Sequence, residues 1–218
     1  MRNLFITRGI PGSGKSTFLQ SAGLGPYTLS PDTLRLAYSS PVMNDVGRIV
    51  MPYQDDRRVW QQLHELLDMR MARGELIVVD ATHTTSSYFQ QYAQLAQKYR
   101  YKLYVIDFAD VPLRVCLERN RQRAPHKVVD DVVLEKMHAR LSTCVIPKQY
   151  TVIQPADVKE LIASYQQPIN LSQYEHIHHI GDIQGCYTPL REYFEQHPYT
   201  EHDYYIFTGD LLDRGTEN

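Results

Sequence analysis

Apolar positions along the first three-quarters of the chain alternate between two periods. Short continuous runs at Leu4–Ile6, Tyr27–Leu29, Leu76–Val79, Tyr101–Phe108 and Tyr150–Ile153 read as strands. Between them the spacing lengthens to three and four residues. From Tyr53 to Arg73, Trp60, His64, Leu67 and Met71 share one helical stripe, which Gly74 stops, and His64 reads as part of the core face. From Thr85 to Arg100 the stripe is Tyr88, Tyr92, Leu95 and Tyr99, an aromatic set that reads as core. Ser30-Pro31 marks another helix start, with serine as N-cap and proline in the first turn. Asp110-Val111-Pro112 reads the same way, with Asp110 as cap. Further helices are expected over Val128–Leu141, capped by Asp130 or Asp131, and along Val158, Leu161, Ile162 and Tyr165. Ser39 to Pro52 mixes Ser, Pro, Asn, Asp and Gly and reads as a loop. The alternation predicts an α/β fold, a parallel sheet with helices on both faces.

The pattern restarts after Gln166-Gln167-Pro168, which places a domain boundary there: residues 1–167, then 168–218. A strand is predicted over Glu175–Ile180, a helix over Pro189–Gln196 and a second strand over Tyr204–Phe207. This is a second, incomplete α/β segment. No internal repeat or low-complexity stretch interrupts either part.

At 218 residues there is room for one full domain and part of another. The net charge of −2 announces no nucleic-acid partner, so any basic surface must be local. Cys116, Cys144 and Cys186 are scattered and odd in number, which fits free thiols in a reducing cytoplasm. No apolar run is long enough to span a bilayer, and the chain goes directly from Met1 into its first strand, so no membrane association or signal peptide is expected.

The chemistry begins at Gly9-Ile10-Pro11-Gly12-Ser13-Gly14-Lys15-Ser16-Thr17, which joins the first strand to the first helix. A glycine-rich turn between strand and helix is the context that a P-loop requires. Gly9, Gly12 and Gly14 let backbone N–H groups approach phosphate oxygens, and the helix start adds donors and partial positive charge. Lys15 can reach the β- and γ-phosphates of ATP, and Ser16 offers a hydroxyl to Mg²⁺. Asp80 ends the Leu76–Val79 run, where a carboxylate points into the ligand crevice of such sheets. It is a candidate for the Mg²⁺ shell, for holding a neighbouring arginine, or for capping the next helix. Asp32 and Arg35 lie three apart and share one helix face. The most basic stretch carries Arg114, Arg119, Arg121 and Arg123 before the break at Ala124-Pro125, where a mobile lid is expected to begin. In the second segment Asp182 and Asp210 follow two apolar strands. Parallel neighbours would bring them within bridging distance of one or two metal ions, with Arg214 as a phosphate clamp. His176 and His178 share one strand face and His179 the other, all three reading as half-buried strand residues.

Residues 1–165 resemble the polynucleotide 5′-hydroxyl kinases of phage and bacterial end-repair enzymes. The resemblance rests on the P-loop at Gly9–Thr17, on Asp32 and Arg35, on Asp80-Ala81-Thr82, and on Arg119-Asn120 with Arg123. It implies a P-loop NTPase domain that uses ATP and Mg²⁺ to phosphorylate 5′-OH ends of DNA or RNA. Asp32 would be the general base, Arg35 would contact the first acceptor phosphate, and Arg119 and Arg123 would be lid arginines on the ATP phosphates. His83 stands where this family often has Asn, a departure that bears on the acceptor pocket. The second segment resembles the opening of a calcineurin-type metallophosphoesterase at Gly181–Gly185 and Gly209–Gly215. That resemblance implies a site for Mn²⁺ or another divalent metal on Asp182, Gln184 and Asp210. Gln184 replaces the usual His, and the later ligand blocks are absent, so this segment is expected to be inactive. The order kinase then phosphoesterase is similar to that of bacterial end-healing proteins and favours a nucleic-acid acceptor. A small metabolite or nucleoside is the alternative.

Overall fold

Strand β1 (Asn3–Arg8) is buried along its whole length, with Leu4 and Ile6 facing one layer and Phe5 the other. In this computed structural model, which describes residues 2–166, 169–212 and 214–217, β1 lies at the centre of a five-stranded sheet. Its companions are β2 (Thr28–Leu29), β5 (Ile77–Val79), β6 (Lys102–Asp107) and β7 (Thr151–Ile153). The order is β2-β5-β1-β6-β7 and every pairing is parallel. The alternation of β1 explains both layers. Leu4, Ile6, Ile77, Val79, Leu103 and Val105 pack under α3 (Asp56–Ala72) and α4 (Ser87–Tyr99). Phe5, Val78, Tyr104 and Ile106 pack against α1 (Lys15–Ser21) and α7 (Pro155–Gln166) through Leu19 and Val158. The aromatic stripe of α4 is core, with Tyr92 buried and Tyr88, Leu95 and Tyr99 packed on the same cluster.

The chain leaves β1 toward β2 on one side and returns through β5 to β6 on the other. The crevice at such a switch point opens at the carboxyl ends of β1 and β5. It is the place where the P-loop and Asp80 meet, since Gly9 N–H donates to the Thr82 carbonyl at 3.0 Å. Ser30 caps α2 (Pro31–Tyr38) as expected, accepting from Asp32 N–H at 3.3 Å, with Pro31 in the first turn.

Several expectations are corrected. The stretch from Ser39 to Pro52 contains a small antiparallel hairpin, β3 (Val42–Met43) and β4 (Ile49–Val50), closed by a turn in which Asn44 Oδ1 accepts from the Val46 and Arg48 amides. Asp110 caps nothing: α5 (Leu113–Arg121) starts after Pro112, which is itself the N-cap, because a residue before proline is driven out of the helical region. In α6 (Asp131–Thr143) the N-cap is Asp130, but its side chain makes no capping hydrogen bond. It points to Arg48 Nη1 at 3.2 Å instead. The helix expected from Tyr53 begins at Asp56.

The chain divides into two units, Met1–Tyr165 and Gln166–Asn218. Gln167 and Pro168, where the sequence places the boundary, lie outside the described residues, as does Asp213. The second unit holds two parallel strands, β8 (His176–Ile180) and β9 (Asp203–Phe207), and α8 (Tyr187–Gln196). His178 is half-buried there, but His176 and His179 are exposed, contrary to the half-buried reading. Among the described residues no helix is long and apolar enough to cross a membrane.

Candidate active site

The glycines of the P-loop are required by backbone shape. Gly12 sits at φ +84°, and a Cβ there would lie 2.3 Å from the Cys116 carbonyl oxygen. Gly14 is the left-handed N-cap of α1 at φ +97°, a conformation that only glycine adopts without strain. The loop closes over Lys15, 8 % exposed, whose Nζ donates to the Ile10 carbonyl at 2.9 Å and to Ser13 Oγ at 3.3 Å. Burial pushes the Lys15 pKa down to about 8, with Arg123 adding repulsion, while the nearby Asp80 carboxylate opposes the shift. An ammonium held in this state has strong reason to meet an anion. Asp80 is not a helix cap; α4 has Ser86 in that place. Its two oxygens accept from Thr7 Oγ1 at 2.9 Å and Ser16 Oγ at 2.6 Å.

Facing this loop is the start of α2. Asp32 is 56 % exposed, and its Oδ1 accepts from Arg35 Nη1 at 2.6 Å. The other guanidinium edge is held by Asp56, with Nη2 at 2.6 Å and Nε at 2.8 Å from Oδ1. Arg35 is therefore clamped between two carboxylates, 14 % exposed, with the Tyr53 ring 5.1 Å from its Cζ. The third wall is the end of α5 and the segment after it. Arg114 pairs with Glu118 and Arg121 with Asp131. Among the described residues Arg119 and Arg123 have no ion-pair partner, and both line the cleft with His126 and Lys127.

These walls enclose a cleft of about 480 Å³. It is lined by Gly12, Gly14, Lys15, Ser16 and Thr17 from the P-loop, by Asp32 and Arg35, by Asp80, and by Arg119 and Arg123. Gly9 and Ser13 lie beneath the lining, where they shape the loop. His83 does not line the cleft: it is buried in the core at φ +43°, its Nδ1 2.6 Å from the Thr7 carbonyl and its Nε2 3.1 Å from the Tyr92 hydroxyl. Burial, with help from Lys15, lowers its pKa to about 4. The ring is therefore neutral, with Nδ1–H donating to Thr7 and Nε2 accepting from Tyr92.

The second unit is considered by itself. Its two strands are parallel neighbours, so Asp182 and Asp210 follow adjacent strand ends. Gly209 sits so close that a Cβ would overlap Asp182 Oδ1. The Asp182 carboxylate is engaged locally, accepting from the Asp210 amide at 3.1 Å and from Gln184 Nε2 at 3.3 Å. Among the described residues no group of three His, Cys, Asp or Glu side chains converges to hold a metal ion. Arg214 is exposed.

Residues 4–144 match the family described as AAA domain. The chain belongs to the AAA domain family. Residues 175–218 match the calcineurin-like phosphoesterases. No curated protein matches the chain. Among solved structures, a candidate kinase from Chloroflexus aurantiacus J-10-fl is 16% identical over 76% of this chain and 98% of its own, with a TM-score of 0.54. A chain of the Pnkp1/Rnl/Hen1 RNA repair complex is 15% identical over 95% of this chain and 70% of its own, with a TM-score of 0.53. Both likenesses are likenesses of fold.

In this AAA domain the sequence pattern did not single out Asp56, Tyr53 or Met51, and it named the buried Asn120 beside Arg119 without a role of its own. Asp56 and Tyr53 reach Arg35 across a sequence gap that carries no period. Asn120 is a side-chain staple: its Nδ2 donates to the Val129 carbonyl at 2.6 Å and its Oδ1 accepts from the Val129 amide at 3.1 Å. The two bonds close the segment that bears Arg123, His126 and Lys127. An asparagine among arginines at a helix end was the one visible trace of it.

Proposed function

We propose that this protein transfers the γ-phosphate of ATP to the 5′-hydroxyl end of a polynucleotide. The observation that carries the reading is the place of Asp32. Its carboxylate is exposed, oriented by Arg35, and lines the same cleft as Lys15, Ser16, Arg119 and Arg123. A pure nucleotide switch has no use for an acceptor base there. The resemblance to end-repair kinases, the adjoining match to calcineurin-like phosphoesterases and the fold likeness to a chain of an RNA repair complex favour a nucleic-acid acceptor.

The chain's own residues divide the work. Backbone amides of the P-loop and Lys15 hold the β- and γ-phosphates, and Lys15 exchanges its internal carbonyl for a phosphate oxygen. Arg119 and Arg123 close over the transferring group and balance its charge. Asp32 accepts the proton of the 5′-hydroxyl as that oxygen bonds to γ-phosphorus, the bond to the β-bridging oxygen breaks, and ADP leaves. Arg35, held by Asp56, keeps the Asp32 carboxylate aimed. The Ser16 hydroxyl, donating to Asp80, turns its lone pairs outward and fits a Mg²⁺ ion, which when bound would supply charge compensation at the phosphates.

The test is transfer of labelled γ-phosphate to 5′-OH DNA and RNA oligonucleotides, with nucleosides and small hydroxyl metabolites as rivals. Asp32→Asn should lower kcat by about 10²- to 10⁴-fold and leave ATP affinity unchanged. Equal loss of ATP binding would make Asp32 structural. Preference for a small acceptor over any oligonucleotide would replace the polynucleotide with a metabolite.

A further inference from the structure

The cleft is chemically lopsided. The P-loop and lid sides are polar and cationic. Beside Asp32 the lining turns apolar and aromatic, with Leu36 from α2, Met51 and Tyr53 from the stretch after β4, and Trp60 from α3. Met51 is buried, whereas Tyr53 is 61 % exposed, with one face toward the Arg35 guanidinium. Trp60 is backed by Tyr88 at a ring separation of 5.0 Å. An exposed tyrosine braced by a cation, lining the same cleft as a tryptophan fixed from behind, offers a stacking surface to a further planar group.

We propose that this wall is a subsite for the base of the acceptor's terminal nucleotide, so that phosphorylation requires a planar base on the residue that bears the 5′-hydroxyl. The proposal rests on the acceptor reading above. With the 5′-oxygen at Asp32 and phosphates at the P-loop, the acceptor base lies one ribose away from Asp32, on the side where the aromatic wall stands. Tyr53 stacks on the base face, and Trp60 and Met51 close around its edge. Stacking tolerates every base, so the subsite selects for the presence of a base and not for its identity.

Trp60 is the single tryptophan of the chain, so its fluorescence reports the subsite directly. Two single-stranded DNA oligonucleotides are compared, identical except that one ends in a 5′-OH abasic residue. The normal end should alter Trp60 emission, and the abasic end should not. The kcat/KM for the normal end should exceed that for the abasic end by about 5- to 140-fold, as one stacked base is worth. Tyr53→Ala should shrink that ratio several-fold; a variant that merely folds poorly would slow both ends and leave the ratio intact. Equal kcat/KM for the two ends overturns the subsite while the kinase reading stands. An emission change with ADP alone, together with a Tyr53→Ala effect on KM for ATP, assigns the wall to the donor base and also overturns it. If no oligonucleotide accepts phosphate, the kinase reading fails. Free adenosine and thymidine then decide the subsite: an emission change with both supports a planar-base site, and none with either overturns it.

Discussion

His83 should make the protein acid-sensitive by an amount that its surroundings set. Its ring is buried between the Thr7 carbonyl, the Tyr92 hydroxyl and the rings of Tyr88 and Phe89, with the Lys15 charge nearby. Burial, the largest cause, holds the folded-state pKa at about 4, against an ordinary 6.5. Between those two values the unfolded chain binds a proton that the folded chain does not. Stability therefore falls as pH drops from 6.5 to 4, by up to about 1.4 kcal/mol per pH unit and about 3 kcal/mol in all. Below about 4 both states are protonated and this contribution levels off. The variant to compare is His83→Asn. Asparagine tolerates the positive φ of this position and can still donate to Thr7, but it does not titrate. It leaves a cavity, so the variant should be less stable at pH 7 and should lose the His83 part of the acid slope. His64, half-buried and also lowered by burial, contributes in the same direction in both proteins and cancels in the difference. The assay is urea unfolding followed through Trp60 at pH 7, 6, 5 and 4.5. Identical slopes for the two proteins would show that His83 is not held neutral, and the argument from its burial would fail.

Two further predictions concern the cleft. Asn120→Ala removes both bonds to Val129 and should loosen the segment after α5 by about 1–4 kcal/mol, since buried backbone groups are left without partners. It should speed hydrogen exchange at the Val129 amide and raise KM for ATP at least several-fold; exchange like wild type would mean that the segment is held by something else. Gly12→Ala places a methyl against the Cys116 carbonyl, with backbone on both sides of the clash and a positive φ besides. ATP affinity by calorimetry should fall at least about tenfold, and an unchanged affinity would refute the reading of that glycine.

What could be read in advance differed with the range of the interaction. The P-loop was legible because its conformation is local: glycines at fixed offsets between an apolar run and a helix leave few alternatives. The continuous apolar run of β1 and the stripe of α4 reported burial directly. The β3–β4 hairpin escaped because strands of two residues carry no measurable period. Asp110 misled because its role depended on where the helix starts, and Pro112 delays that start. His83 was read as a matter for the acceptor pocket, yet it is buried, because its ring bonds to the Thr7 carbonyl, a partner 76 positions away in sequence.

By itself the sequence determined the α/β alternation and the phosphate loop, since each is written in spacing along the chain. Only the tertiary structure decided which charges matter in the cleft. Asp56, 21 positions away, clamps Arg35, while Arg119 and Arg123 face the cleft with Asp32, Lys15 and Asp80. Those choices depend on which helix ends meet across the crevice, and one-dimensional spacing holds no record of contacts between residues tens of positions apart.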